Sequence, residues 1–149
     1  MTRAIFWATL IAGTLDILYA ALMSSMFGNG PASMLRMVAS GPVPAATGWG
    51  AQGSVLGLIV HFTLMAIMAA VYVLAARRMP ALVAKPIQWG VLYGLATYVV
   101  MNWLVVPARF DTPLPPSPLS IATQLFAHIV LVGIPIALMT ARYFKPQRA

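Results

Sequence analysis

Four stretches of this chain, residues 4–27, 54–76, 87–106 and 120–141, are apolar almost without interruption. Each has close to the roughly 20 residues that an α-helix needs to cross a hydrocarbon core. No connection between them is long enough for a further globular domain, so residues 1–149 read as a single membrane domain. The fold class this implies is all-α, a polytopic up-down bundle of four transmembrane helices. Composition agrees, since 61% of the residues are hydrophobic and 7% charged, against roughly a quarter charged in a soluble domain. Glycine and proline mark the expected span ends: Gly28, Gly30 and Pro31 after the first, Pro80 and Pro86 between the second and third, and Pro107 after the third. Pro113, Pro115, Pro116 and Pro118 precede the fourth.

Lysine and arginine are retained on the cytoplasmic side during insertion, so their distribution predicts orientation. Arg3, Arg77, Arg78, Lys85, Arg142, Lys145 and Arg148 fall at one end of the spans, and only Arg36 and Arg109 at the other. Both termini are therefore expected to be cytoplasmic. The formal charge of +7 does not point to nucleic acid, because the cations flank helix ends instead of forming one patch. The first span has Arg3 before an apolar run, as a signal peptide does, but Asp16 interrupts it and it exceeds a signal core in length. A retained helix is expected.

The outer connection 28–53 contains a segment, 31–40, with Met34, Leu35, Met37 and Val38 on one broad side, Pro31 suited to a first helical position and Gly41 to a cap. It reads as an interfacial helix or lid lying on the outer surface. The second outer loop, 107–119, is proline-rich and expected to be extended, with Arg109 and Asp111 paired. Trp7, Trp89, Trp103 and Tyr143 lie near span ends, where amphipathic rings favour the interface.

Four polar residues, one per span, are not explained by apolar composition: Asp16, His61, Asn102 and His128. Each is costly in hydrocarbon unless it meets a partner or water. Counted from the outer end at the rise of a helix, they lie about 16 Å, about 10 Å, about 6 Å and about 12 Å deep, all in the outer half of the bilayer. Helical spacing groups them with other small or polar residues. The first face carries Thr9, Gly13, Asp16 and Ala20, and the second Ser54, Gly57, His61, Met65, Met68 and Tyr72. The third has Gly90, Gly94, Tyr98, Met101 and Asn102, and the fourth Gln124, His128, Leu131 and Pro135. The simplest account of the glycines is close helix packing. Pro135 leaves the Leu131 carbonyl without its donor, which bends a helix and frees an acceptor.

Several functions remain open on this pattern. A proton or small-solute pathway would use Asp16 and a histidine as exchanging groups, with Tyr98, Asn102 and Gln124 lining it. Alternatively, His61 and His128 could be the axial ligands of a b-type haem, with Gly13 and Gly94 leaving room for the porphyrin edges. A divalent metal on Asp16, His61 and His128 is a variant of that reading. A third class is a structural subunit, in a homo-oligomer or a larger membrane complex. The absence of cysteine excludes disulfides, thiolate metal sites, iron–sulfur clusters and c-type haem. No catalytic or phosphate-binding motif occurs, so an enzyme is not expected. Retinal is excluded because the only lysines, Lys85 and Lys145, lie outside the spans.

The runs HFTLMAIMAAVY (from His61), GVLYGLATYVVMNWLVVP (from Gly90) and AHIVLVGIPIALMTAR (from Ala127) resemble the YagU-like family of bacterial inner-membrane proteins. The likeness covers about the last two thirds of the chain. It implies an inner-membrane protein associated with acid tolerance, without an assigned biochemical activity. His61 and His128 fall where that family tends to have histidine, whereas Asp16 and the segment 31–40 lie outside the matched part.

Overall fold

A computed structural model describes residues 1–144; Lys145 and Arg148 lie outside the described residues. Six helices follow one another: α1 (Thr2–Met26), α2 (Pro31–Ala39), α3 (Ala51–Ala76), α4 (Pro80–Ala84), α5 (Pro86–Phe110) and α6 (Pro118–Phe144). A short 3₁₀ turn, Pro44–Gly48, links α2 to α3. Helices α1, α3, α5 and α6 are long and apolar enough to span a membrane, and no strand occurs among the described residues. The protein is a membrane-spanning bundle of four helices.

Small side chains line much of its interior beside larger buried ones such as Met65, Tyr72, Val132 and Ile136, while many large apolar side chains are exposed. Along α1, Ala4, Ala8, Ala12 and Gly13 are buried, while Leu10, Leu18 and Leu22 point outward. The same sorting places Gly57, Ala69 and Ala76 of α3 inside and Val55, Ile59, Ile67 and Val71 outside. Lipid tails are as apolar as leucine, so burying large side chains gains little in a bilayer, and close backbone approach through small residues drives packing. Helix α1 lies along α3 and α6, and α6 along α5. Helices α3 and α5 meet toward the end that carries Arg77 and Lys85. There Tyr93 donates from its hydroxyl to the Met68 carbonyl at 2.7 Å and packs edge-on against Tyr72, with ring centroids 5.0 Å apart.

The last two spans run longer than the prolines predict. Helix α5 continues through Pro107 to Phe110 instead of ending at 106, and α6 starts at Pro118, capped by the Ser117 hydroxyl, which accepts from the Ser120 amide at 3.2 Å. A proline ring clashes with the carbonyl four residues before it, here those of Trp103 and Leu131. Both carbonyls belong to π-helical segments, Val100–Val105 and Ala127–Gly133. The amides just before the prolines, of Val106 and Ile134, bond to Met101 and Ile129 across the wider turn. Widening the helix displaces the obstructing carbonyl, and the helix continues past the ring. Asn102 and His128 both sit on these widened segments. Helix α5 stops at Asp111, whose left-handed φ of 51° closes it before Thr112 and Pro113.

Helix α2 forms as the spacing predicts but does not lie free on the surface. Its main chain at Leu35 rests on Gly57 of α3, so closely that a methyl group at Gly57 would sit 2.0 Å from the Leu35 carbonyl oxygen. Ser54 donates to the Ala32 carbonyl at 3.1 Å. The far end of α2 is tied by Arg109, which donates through Nε to the Gly41 carbonyl and through Nη2 to the Ser40 carbonyl. The expected Arg109–Asp111 pair does not form. The two free carbonyls beyond α2 sit within reach of the guanidinium fork and take both of its donors. Replacing Arg109 with Gln should release this end and raise amide hydrogen exchange over residues 38–43 roughly tenfold, as expected for loss of charge-assisted bonds at a solvent-facing site. Unchanged exchange there would show that the arginine does not hold the helix.

Candidate functional site

One helical turn beneath the Leu35–Gly57 contact, on the same buried face of α3, lies His61. Opposite it on α1 is Gly13, which has no side chain to screen its carbonyl. His61 Nε2 donates to that carbonyl at 2.9 Å, and the Phe62 ring closes the remaining space over Gly13. Three residues further along α1, Asp16 Oδ2 stands 3.9 Å from His61 Nδ1. Both side chains are largely enclosed, with 9% of His61 and 17% of Asp16 exposed.

This arrangement determines where protons can be. A carbonyl only accepts, so the hydrogen on Nε2 is committed to Gly13. A neutral His61 would therefore present the bare lone pair of Nδ1 to Asp16. An ionised carboxylate also presents lone pairs, and two acceptors facing one another in a low-dielectric interior repel. The pair is compatible once it holds one proton between them, as imidazolium with carboxylate or as imidazole with carboxylic acid. At 3.9 Å the two atoms stand just beyond direct hydrogen-bond distance.

The third member is His128, on the π-helical segment of α6. Its Nδ1 donates to the Gln124 carbonyl at 3.0 Å, and its ring meets Tyr98 of α5 edge-on at 6.0 Å. The π-helical segment that carries His128 packs against α1. Tyr98 is buried, and its hydroxyl accepts from Trp103 Nε1 at 3.2 Å. Thus α1, α3, α5 and α6 contribute Asp16, His61, Tyr98 and His128 to one neighbourhood. Asn102 does not join them through a bond, because it donates to the Tyr98 carbonyl of its own helix at 3.4 Å. Gln124 takes part through its main-chain oxygen. Sequence reasoning placed Gly13 on the right face but not as the acceptor that orients His61. Thr9, one turn from Gly13, has a buried hydroxyl oxygen with no hydrogen-bond partner.

Haem does not fit these residues. Iron needs an imidazole lone pair, yet His61 turns Nε2–H to Gly13 and Nδ1 to Asp16. The glycines expected to admit a porphyrin are filled: Gly13 by Phe62, and Gly94 by the main chain of His128 and Ile129, 2.4 Å from where a methyl group would stand. A metal held by Asp16, His61 and His128 is likewise not supported. Among the described residues no three His, Cys, Asp or Glu side chains group closely enough to hold an ion. No protein-family model, curated protein or solved structure matches the chain.

Proposed function

We propose that this protein takes up and passes protons, or a small solute linked to them, through the outer half of a bacterial inner membrane, with both termini in the cytoplasm. The carrying observation is the bond from His61 Nε2 to the Gly13 carbonyl, which leaves Nδ1 as the group that must share a proton with Asp16. His128 and Tyr98 extend the polar cluster across the bundle, and the unpartnered Thr9 hydroxyl offers a further polar step toward the other end. The orientation is supported by Arg3, Arg77, Arg78, Lys85 and Arg142 at one end of the spans, against Arg36 and Arg109 at the other. Membership of the YagU-like family is part of the same proposal, and an association with acid tolerance accords with a buried group that gains and loses a proton.

Proteoliposomes carrying a pH-sensitive dye test the reading. Wild type should dissipate a proton gradient faster than empty vesicles, and Asp16→Asn should lower that rate at least about tenfold, because an amide cannot ionise. His61→Gln keeps a donor for Gly13 yet cannot titrate, and should lower it as strongly while the protein stays folded. A rate equal to that of empty vesicles, with and without added small solutes, rejects the proposal.

A further inference from the structure

Among the described residues the basic end of the bundle carries no acidic side chain. Arg3, Arg77, Arg78, Lys85 and Arg142 all lie there, whereas the chain's only carboxylate side chains are Asp16, in the middle of α1, and Asp111, beyond the far end of α5. Among the described residues the single ion pair is the Asp16–His61 contact. Beside these cations is an open groove of about 450 Å³ lined by Ala76, Arg77, Pro80, Val83, Ala84 and Phe144, where α3 ends, α4 turns and α6 finishes. A second hollow is lined by Leu74, Ala75, Arg77 and Arg78. Among the described residues, the Arg77 guanidinium makes one hydrogen bond, to the Met1 thioether at 3.5 Å, a weak acceptor.

Apart from Arg77, the groove is lined by apolar side chains, at the end of the span α3. Leu74, Met79, Ile87 and Tyr143 nearby are exposed apolar or aromatic side chains. We propose that the groove is a specific site for an anionic phospholipid, with an acyl chain along Ala76, Val83 and Phe144 and the phosphate on Arg77 and Arg78. A guanidinium pairs with phosphate oxygens through two parallel bonds, and a surface cation at a membrane adds attraction for anionic headgroups. A free anion would leave the apolar wall unmatched. This inference is independent of the Asp16 site.

Native mass spectrometry of the purified full chain, titrated with phosphatidylglycerol or phosphatidylcholine, tests it. Phosphatidylglycerol should be retained preferentially. Arg77→Gln should weaken that retention roughly fivefold, the factor expected for one surface cation, and Arg36→Gln at the opposite end should leave it unchanged. Ala84→Trp fills the groove from an exposed position and should also abolish preferential retention, so the test survives if Arg77→Gln misfolds. Equal retention of the two lipids overturns the proposal. So does thermal stabilisation by inorganic phosphate equal to that by phosphatidylglycerol, or retention that neither Arg77→Gln nor Ala84→Trp alters.

Discussion

Adding one methyl group at Gly133 should unfold the α5–α6 seam. A Cβ there would stand 2.2 Å from the Gly90 carbonyl oxygen, 2.6 Å from the Gly94 amide nitrogen and 2.7 Å from the Gly94 Cα. All three are main-chain atoms inside a helix, so none can turn aside as a side chain could. The clash is reciprocal, because Gly94 rests on the main chain of His128 and Ile129 and Gly90 on that of Gly133 and Ile134. Relief requires the two helices to separate along the seam, which also removes Tyr98 from His128. Overpacking of this kind costs about 3 kcal/mol or more, because no neighbour can relax into free space. Gly133→Ala in detergent should therefore melt well below wild type and expose the seam to proteolysis, although alanine is the better helix former. Gly48→Ala, at a position with nothing within 4 Å, should be neutral. Equal melting of Gly133→Ala and wild type would mean that α5 and α6 do not meet through these glycines.

Gly57→Leu should expel α2 from its seat while leaving the four spans in place. The Leu35 carbonyl oxygen, carbon and Cα all lie within 3.1 Å of where a side chain at Gly57 would begin. Helix α2 has nine residues and buries little beyond Ala39, so its undocking needs far less free energy than parting two spans. The chain contains no cysteine, and a single Cys placed at Leu35 is therefore a unique reporter. Its modification by a membrane-impermeant maleimide should be more than about tenfold faster with Gly57→Leu than without it, as expected when overpacking outweighs a weakly held element. Because His61 lies one turn from Gly57, the same variant should expose the Asp16–His61 pair and, on the proposed function, raise proton flux if α2 limits entry. Unchanged labelling would show that α2 is not seated on Gly57.

How much of this was legible beforehand depends on the kind of force involved. The spans were legible because insertion responds to hydrophobicity summed along one segment at a time, and 54–76 carries that signal whatever its neighbours do. The misplaced end at Pro107 shows the limit. A proline ends a helix only if the turn before it keeps α-helical spacing, and the π-helical segment Val100–Val105 does not. The Arg109–Asp111 expectation failed for a related reason. Proximity in sequence suggested a pair, whereas the carbonyls of Ser40 and Gly41, nearly seventy residues away, were brought to the guanidinium by docking of α2.

At the site, amino-acid type and spacing by themselves pointed Asp16, His61 and His128 inward, because exposed to hydrocarbon each would lack any partner. Only the tertiary structure decided that the Gly13 carbonyl would take the hydrogen of His61 Nε2. The same holds for the rotation that turned Asn102 onto its own helix and for the main-chain atoms that filled the room expected for a cofactor at Gly94. Polarity and depth are properties of one helix and its solvent. A hydrogen bond or a sub-3 Å approach between backbones depends on the rotation and separation of two helices, which the small residues on both faces set together.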